Sequence, residues 1–300
     1  MKKHVDAAKK RLRLSEREIF FLGSGCDARL VTSHGPWKGL PRRKDKVAVI
    51  FLQPFAEEMN RCRRLISLSQ DALSARGICS LTIDYLGTGD SAGAFEDASL
   101  KAWTDDVNRL CDLAISAGAK TLQFVGVRFG ALLAETIAAS RQDVTQILAL
   151  QPQESYMRAM RQFIRIAAAS LDETGSGTAG VLKPSPAKQL EAGARIMVGG
   201  YEVTPELYSE FKTSKAPGKI PCPITAAFVG VKSAHSDILT SADRRTVSQM
   251  SQRAPQVHYV AINDVQLWHQ GIPEEPRVMP SVIADILTGN LAKQDIQRAA

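Results

Sequence analysis

Residues 121–139 read TLQFVGVRFGALLAETIAA. A strand-length apolar run enters Gly126-Val127-Arg128-Phe129-Gly130 and leaves at once as an alanine-rich helical pattern. No residue is spare for a loop, so the chain must reverse at a sharp, strained bend with Arg128 at its centre. The flanking glycines predict a helix that returns so close to the strands that a Cβ would be in the way. A strand folding directly back into a helix is the unit of a parallel sheet with helices on its faces.

The rest of the chain repeats this unit. KVAVIFLQ (46–53) is almost continuously apolar and rich in β-branched residues, the pattern of a strand buried on both faces. ICSLTID (78–84), VTQILALQP (144–152), ITAAFVG (224–230) and VHYVAIN (257–263) read as further strands, and IFFLGSGCDARLVTS (19–33) as two strands joined at Gly23-Ser24-Gly25. Between them, residues 57–77 form an amphipathic helical pattern ended by glycine, residues 99–118 a helix with Ser99 as N-cap, and a last helix runs from about Val278 to Ala292. The predicted fold class is α/β, a mostly parallel sheet with helices on both faces, in a single domain spanning 1–300 behind a basic segment, 1–16. Residues 153–222 break the alternation. They hold a helical run (154–170), a stretch rich in Gly, Ser and Pro that reads as a mobile loop (170–188), and a mixed segment (191–214). An insertion between the sixth and seventh major strands is expected to form a helical lid over a pocket at the sheet's C-terminal edge.

Charge and cysteines exclude several classes. The net charge is +7, much of it in the first thirteen residues and in Arg42, Arg43, Lys44 and Lys46. That suits a solvated basic face, or loose peripheral association with an anionic membrane surface. No nucleic-acid motif and no basic helix with interleaved aromatics is present, so no nucleic-acid partner is expected. No apolar run reaches the ~18 residues of a membrane span, and the basic start is not followed by the apolar stretch of a secretory signal. The five cysteines (Cys26, Cys62, Cys79, Cys111, Cys222) are scattered and odd in number, which argues against a disulfide frame and against zinc. A reducing cytoplasm is the expected compartment, with neither metal nor cofactor.

The bend at 126–130 has the strand–turn–helix frame of G-x-S-x-G, the nucleophile elbow of α/β-hydrolases, with arginine in the serine position. Asp84-Tyr85-Leu86-Gly87-Thr88-Gly89-Asp90-Ser91-Ala92-Gly93 follows the strand at 78–84 and looks like the D-x-x-G-x-G-x-S-x-G loop of the same superfamily. Gln53-Pro54-Phe55-Ala56 ends the strand at 46–53, where this fold places an oxyanion-hole amide. Asp237 and His269 supply an acid and then a histidine in the order these enzymes use, with Asp243 competing for the acid role. Arginine cannot attack a carbonyl: its guanidinium carries five donors, no acceptor, and stays protonated. Losing the serine of a working triad slows it about a millionfold. Arg128 therefore needs a partner at the start of a helix, where cations are disfavoured. One reading pairs it with Asp84, Asp90, Glu57 or Glu58. The other has Arg128 and the helix N–H groups hold a carboxylate or phosphate. Glu57 and Glu58 are adjacent on one helix, so only one of them can face Arg128.

Pro54-Phe55-Ala56-Glu57-Glu58-Met59-Asn60-Arg61, the loop at Asp84–Ser91 and the arginine elbow together carry a resemblance. The chain resembles exosortase A system-associated hydrolase 2, a branch of the α/β-hydrolase superfamily, from about Phe20 to Thr288. At Trp268-His269 it departs from that branch, where no histidine is expected. The resemblance implies a context of exosortase protein sorting and exopolysaccharide production, and a hydrolase name that rests on fold. Two functions compete. One is hydrolysis or acyl transfer on an ester, thioester or acylated glycan, with water activated by His269 and Asp237. The other is a non-catalytic binding or accessory protein of that system. Its anionic small-molecule, glycan or acyl ligand would be held by Arg128, Phe129, Phe55, Glu57, Glu58, Asn60, Asp84, Asp90 and Ser91.

Overall fold

The computed structural model describes residues 17–36, 46–173, 184–230, 239–268, 274–290 and 297–298, and within them the apolar runs become strands covered on both faces. In chain order, the first half contains β1 (Arg17–Leu22), β2 (Arg29–His34), β3 (Val47–Leu52), α1 (Ala56–Ala75), β4 (Cys79–Ile83), α2 (Leu100–Ser116), β5 (Thr121–Val127), α3 (Phe129–Ala138) and β6 (Val144–Leu150). An insertion follows with α4 (Tyr156–Glu173), α5 (Pro186–Glu191), β7 (Ile196–Val198), β8 (Tyr201–Val203) and α6 (Pro205–Thr213). The series closes with β9 (Ile224–Val229), α7 (Ser241–Ser251), β10 (Val257–Ile262), α8 (Met279–Thr288) and β11 (Gln297–Arg298).

The main sheet runs β1-β2-β4-β3-β5-β6-β9-β10-β11. The six strands from β4 to β10 are mutually parallel, and β1, β2 and β11 are antiparallel additions at the edges. Successive residues of a strand point to opposite faces, so each central strand feeds two cores. Ile50, Phe124 and Ile147 pack with Trp103 and Leu110 of α2 and Ile137 of α3. Val49, Phe51, Val125 and Leu148 pack with Leu65 of α1 and Ile283 of α8. This two-sided burial is why these strands read as unbroken apolar runs.

Helix ends follow local chemistry. Ser99 Oγ accepts the Ala102 N–H at 3.0 Å and starts α2, as its position predicts. Gly77 lies at φ +73° just beyond α1. The last helix is shorter than the sequence suggests. Gly289 takes a left-handed conformation (φ 70°, ψ 18°) and its N–H turns back to the carbonyls of Asp285 and Ile286, so α8 stops at Thr288 rather than near Ala292. The expected loop at 170–188 is also trimmed. The helical run continues to Glu173, since its first breaker is Gly175, and Pro186 opens α5. Residues 174–183 and the basic segment 1–16 lie outside the described residues.

The close approach foreseen at the bend is measurable. A Cβ on Gly130 would lie 2.1 Å from the Leu52 carbonyl oxygen, and one on Gly126 2.4 Å from Ala131 Cα. Backbone atoms cannot step aside as a flexible side chain would. Gly130→Ala is expected to destabilise the fold by about 1–3 kcal/mol through overpacking, measured by denaturant melts against the wild type. A second expectation concerns the thiols. Cys26 is exposed and the other four are buried. Burial pushes Cys79 and Cys111 up to about 12 and Cys222 up to about 11, and raises Cys62 further in the same direction. A thiol-reactive dye should therefore label one cysteine in the native protein and the remaining four only on unfolding. Rapid labelling of a second native thiol would contradict this burial pattern.

Candidate functional site

The site begins where β5 ends. Arg128 sits at φ 56°, ψ −115°, a strained backbone position for any residue with a Cβ. Its N–H donates to the Leu150 carbonyl at 2.9 Å and its carbonyl accepts from the Ala131 N–H at 3.1 Å, which pins the bend between β6 and α3. Ala56 (φ 53°), just after β3, and Gln151 (φ 43°), just after β6, are also left-handed. Three strained non-glycine residues thus stand at the C-terminal edge of neighbouring strands. Each carries roughly 1–3 kcal/mol that the surrounding structure must hold.

Arg128 is 7% exposed and bonded on most of its donors. Nε donates to Glu58 Oε2 at 3.2 Å and Nη2 to Glu58 Oε1 at 3.0 Å, a two-point ion pair. Nη2 also donates to Gln162 Oε1 at 2.9 Å, and the Gln153 amide reaches the same oxygen at 3.2 Å. The guanidinium carbon lies 5.4 Å from the centre of the Trp268 ring, within range of a cation–π contact. Among the described residues, Nη1 has no hydrogen-bond partner. Glu58 lies in the first turn of α1, where the helix dipole favours a carboxylate. Of the carboxylates weighed from sequence, it is the one that meets the arginine. Glu57 turns instead to Arg61 (3.2 Å) and Asn60 (3.4 Å), and Asn60 donates to the Tyr201 hydroxyl at 2.9 Å.

A cavity of about 290 Å³ opens beside this cluster at the C-terminal edge of β6 and β9. Arg128, Trp268, Gln151, Gln153, Gln162 and Asp243 are in its wall. The Gln151 amide spans two elements, accepting from the Val229 N–H at 2.7 Å and donating to Asp243 Oδ1 at 3.4 Å. Gln153 Oε1 is buried and has no hydrogen-bond partner among the described residues.

The other candidates lie elsewhere. Asp84 accepts from Gln53 (3.0 Å), Arg63 (3.0 Å) and the Asp90 N–H (3.1 Å). Ser91 Oγ donates to the Asp84 carbonyl at 2.6 Å and accepts from the Leu30 N–H at 2.8 Å. The three residues hold the loop after β4 in shape and none lines the cavity. Phe55 and Phe129 are buried with ring centres 5.0 Å apart, and Phe163 of α4 and Phe211 of α6 close on Phe55 at 5.2 and 5.3 Å. They weld the insertion to the sheet edge and are not in the cavity wall. Asp237 and His269 fall outside the described residues. Asp243 serves as a cap: its carboxylate accepts from the Thr240 N–H (2.8 Å) and hydroxyl (2.7 Å) at the start of α7.

No histidine among the described residues lines the cavity. Cys62, close enough to feel Glu58 and Arg128, is held as a neutral thiol by burial, with Glu58 adding to the effect and Arg128 opposing it. No group of three or more metal-ligating side chains occurs among the described residues, nor any helix long and apolar enough to cross a membrane.

Sequence reasoning missed the glutamines and Asp264. The one available signal for Gln151 and Gln153 was polarity directly after the apolar end of a strand, Ile147–Leu150. Asp264 follows β10 and accepts the N–H groups of Val265, Arg277, Val278 and Met279 at 2.8–3.1 Å. It clamps the two ends of the loop that carries Trp268.

No family profile matches the chain, and no curated protein matches it. Solved structures do. Est1E from Butyrivibrio proteoclasticus, determined with ferulic acid, superposes with a TM-score of 0.58 at 16% identity, over 91% of this chain and 100% of that one. Proline iminopeptidase from Mycobacterium smegmatis gives 0.54 at 15% identity over 91% and 98%. Mouse alpha/beta hydrolase domain-containing protein 10 gives 0.54 at 14% identity over 91% and 97%. The chain has the α/β-hydrolase fold. At such identities the likeness speaks for the fold alone. At the bend after β5 the side chain is a guanidinium already engaged by a carboxylate.

Breaking that pair from one side leaves a largely buried charge behind. Arg128→Met and Glu58→Gln are each expected to destabilise by about 1–3 kcal/mol, discounted from fully buried pairs because Glu58 is partly exposed. The double variant should be less destabilised than the sum; strictly additive melts would show that the pair is not coupled. Asp264 sets a pH dependence. Burial raises its pKa, but the backbone N–H groups outweigh that and hold it below the usual carboxylate range. A native pKa below the unfolded one gives stability that is complete above the unfolded value and lost as pH falls through the native value. Asp264→Asn should flatten the acid limb of stability against pH, and an unchanged acid limb would remove Asp264 from that role.

Proposed function

We propose that this chain is an α/β-hydrolase-fold protein of the exosortase A system-associated hydrolase 2 branch that binds a small polar ligand beside Arg128 and runs no acyl-enzyme chemistry at its elbow. The observation that carries this reading is the occupant of the elbow. A residue with no acceptor and no removable proton stands in the nucleophile's place, paired to Glu58 and bonded to Gln162. The aromatic weld of Phe55, Phe129, Phe163 and Phe211 adds support, since it fills the space between elbow and insertion with rings. The polar cavity beside Arg128 is close to the low end of the ~300–1,000 Å³ usual for small-molecule sites. The exosortase and exopolysaccharide setting comes from the sequence resemblance alone.

A second reading keeps an enzyme: hydrolysis or acyl transfer by water activated by His269 with Asp237, with Arg128 stabilising developing negative charge. The strain retained at Ala56, Arg128 and Gln151 favours it, because such strain gathers at working sites. An ester and thioester panel decides between the two. The wild type is expected to show no turnover above buffer and no covalent adduct with a fluorophosphonate probe, and Arg128→Ser at most weak turnover. Wild-type turnover that disappears in His269→Ala would overturn the binding-protein reading.

A further inference from the structure

We infer that the cavity beside Arg128 takes an uncharged, hydroxyl-rich ligand of the sugar or polyol class, and disfavours the anion that a lone arginine would suggest. This deepens the binding reading above and rests on it. The first ground is charge. Among the described residues the wall holds two arginines, Arg128 and Arg158, and two carboxylates, Glu154 and Asp243, while Glu58, behind the wall, pairs with Arg128. Glu58 takes the two-point fork of Arg128, the geometry that a ligand carboxylate would need. Arg158 faces Glu154 at 3.5 Å one helical turn away. An incoming anion would find no unengaged guanidinium fork on Arg128 and would be repelled by carboxylates.

The second ground is the character of the groups left over. Arg128 Nη1 and the Gln162 side-chain nitrogen are donors without a partner among the described residues. Gln153, 5% exposed, has an amide oxygen that accepts no hydrogen bond among the described residues. The wall thus includes donors together with an acceptor. A carboxylate or phosphate monoanion can satisfy the donors and leaves the acceptor unpaired. A hydroxyl both donates and accepts, so one or two adjacent hydroxyls complete the set. A buried acceptor left without a donor is costly, which gives the site a reason to prefer such a ligand.

The test is calorimetric titration of the full-length protein with D-glucose, D-mannose and N-acetyl-D-glucosamine beside D-glucuronate, D-glucosamine, acetate and inorganic phosphate. Glucose, glucuronate and glucosamine share one ring and differ in charge. At least one neutral sugar is expected to bind, with D-glucuronate about tenfold weaker or worse because its carboxylate meets others. Gln162→Leu should weaken sugar binding by roughly three- to tenfold, the value of one hydrogen bond, with its melting profile recorded as a folding control. Tighter binding of glucuronate, acetate or phosphate would overturn the ligand class and leave the binding reading standing. Absence of binding by every neutral sugar would also overturn it. Ester turnover by the wild type would instead remove the binding reading itself, whichever sugar binds.

Discussion

A cation fixed at the apex of a strained bend has to be neutralised, and the surroundings of the elbow are organised around that need. Arg128 projects from the start of α3, where the helix dipole is unfavourable to positive charge. Glu58 answers it from the first turn of α1, where the dipole is favourable to negative charge. The pair therefore ties two helix N-termini together across the end of the sheet. Gln162 extends the tie to α4 of the insertion, and Trp268 extends it to the loop after β10. Four separate parts of the chain meet on one guanidinium.

The bend that presents the arginine is imposed by backbone contact and not by the side chain. Gly126 and Gly130 let α3 approach β3 and its own strand at distances no Cβ would allow. The strain at Arg128 is shared by Ala56 and Gln151 beyond the ends of flanking strands, so three positive-φ residues stand together at the C-terminal edge of the sheet.

Two kinds of side chain gather near the bend. Phe55 and Phe129 join Phe163 and Phe211 in edge-on and stacked contacts that close the insertion onto the sheet. The glutamines after β6 and Asp243 in the first turn of α7 line a polar hollow. Rings fill space efficiently and exclude water; amides and carboxylates on short loops do not pack so tightly.

The amino-acid sequence by itself determined the fold class, the alternation of strands and helices along the chain and the place of the bend. Those properties are local: the mostly apolar runs at 46–53 and 121–127 demand two-sided burial, and the glycines two residues before and two after Arg128 demand close approach. It also narrowed the partner of Arg128 to a few carboxylates, because charge must be balanced. Which carboxylate met it, and that Asp84, Asp90 and Ser91 belong to a separate loop network, was decided only in three dimensions. So was the grouping of Gln151, Gln153 and Gln162 about one cavity. Hydrogen-bonding side chains carry no periodic signal, and their partners are set by how α1, α4 and the loops after β6 and β10 converge at the sheet edge.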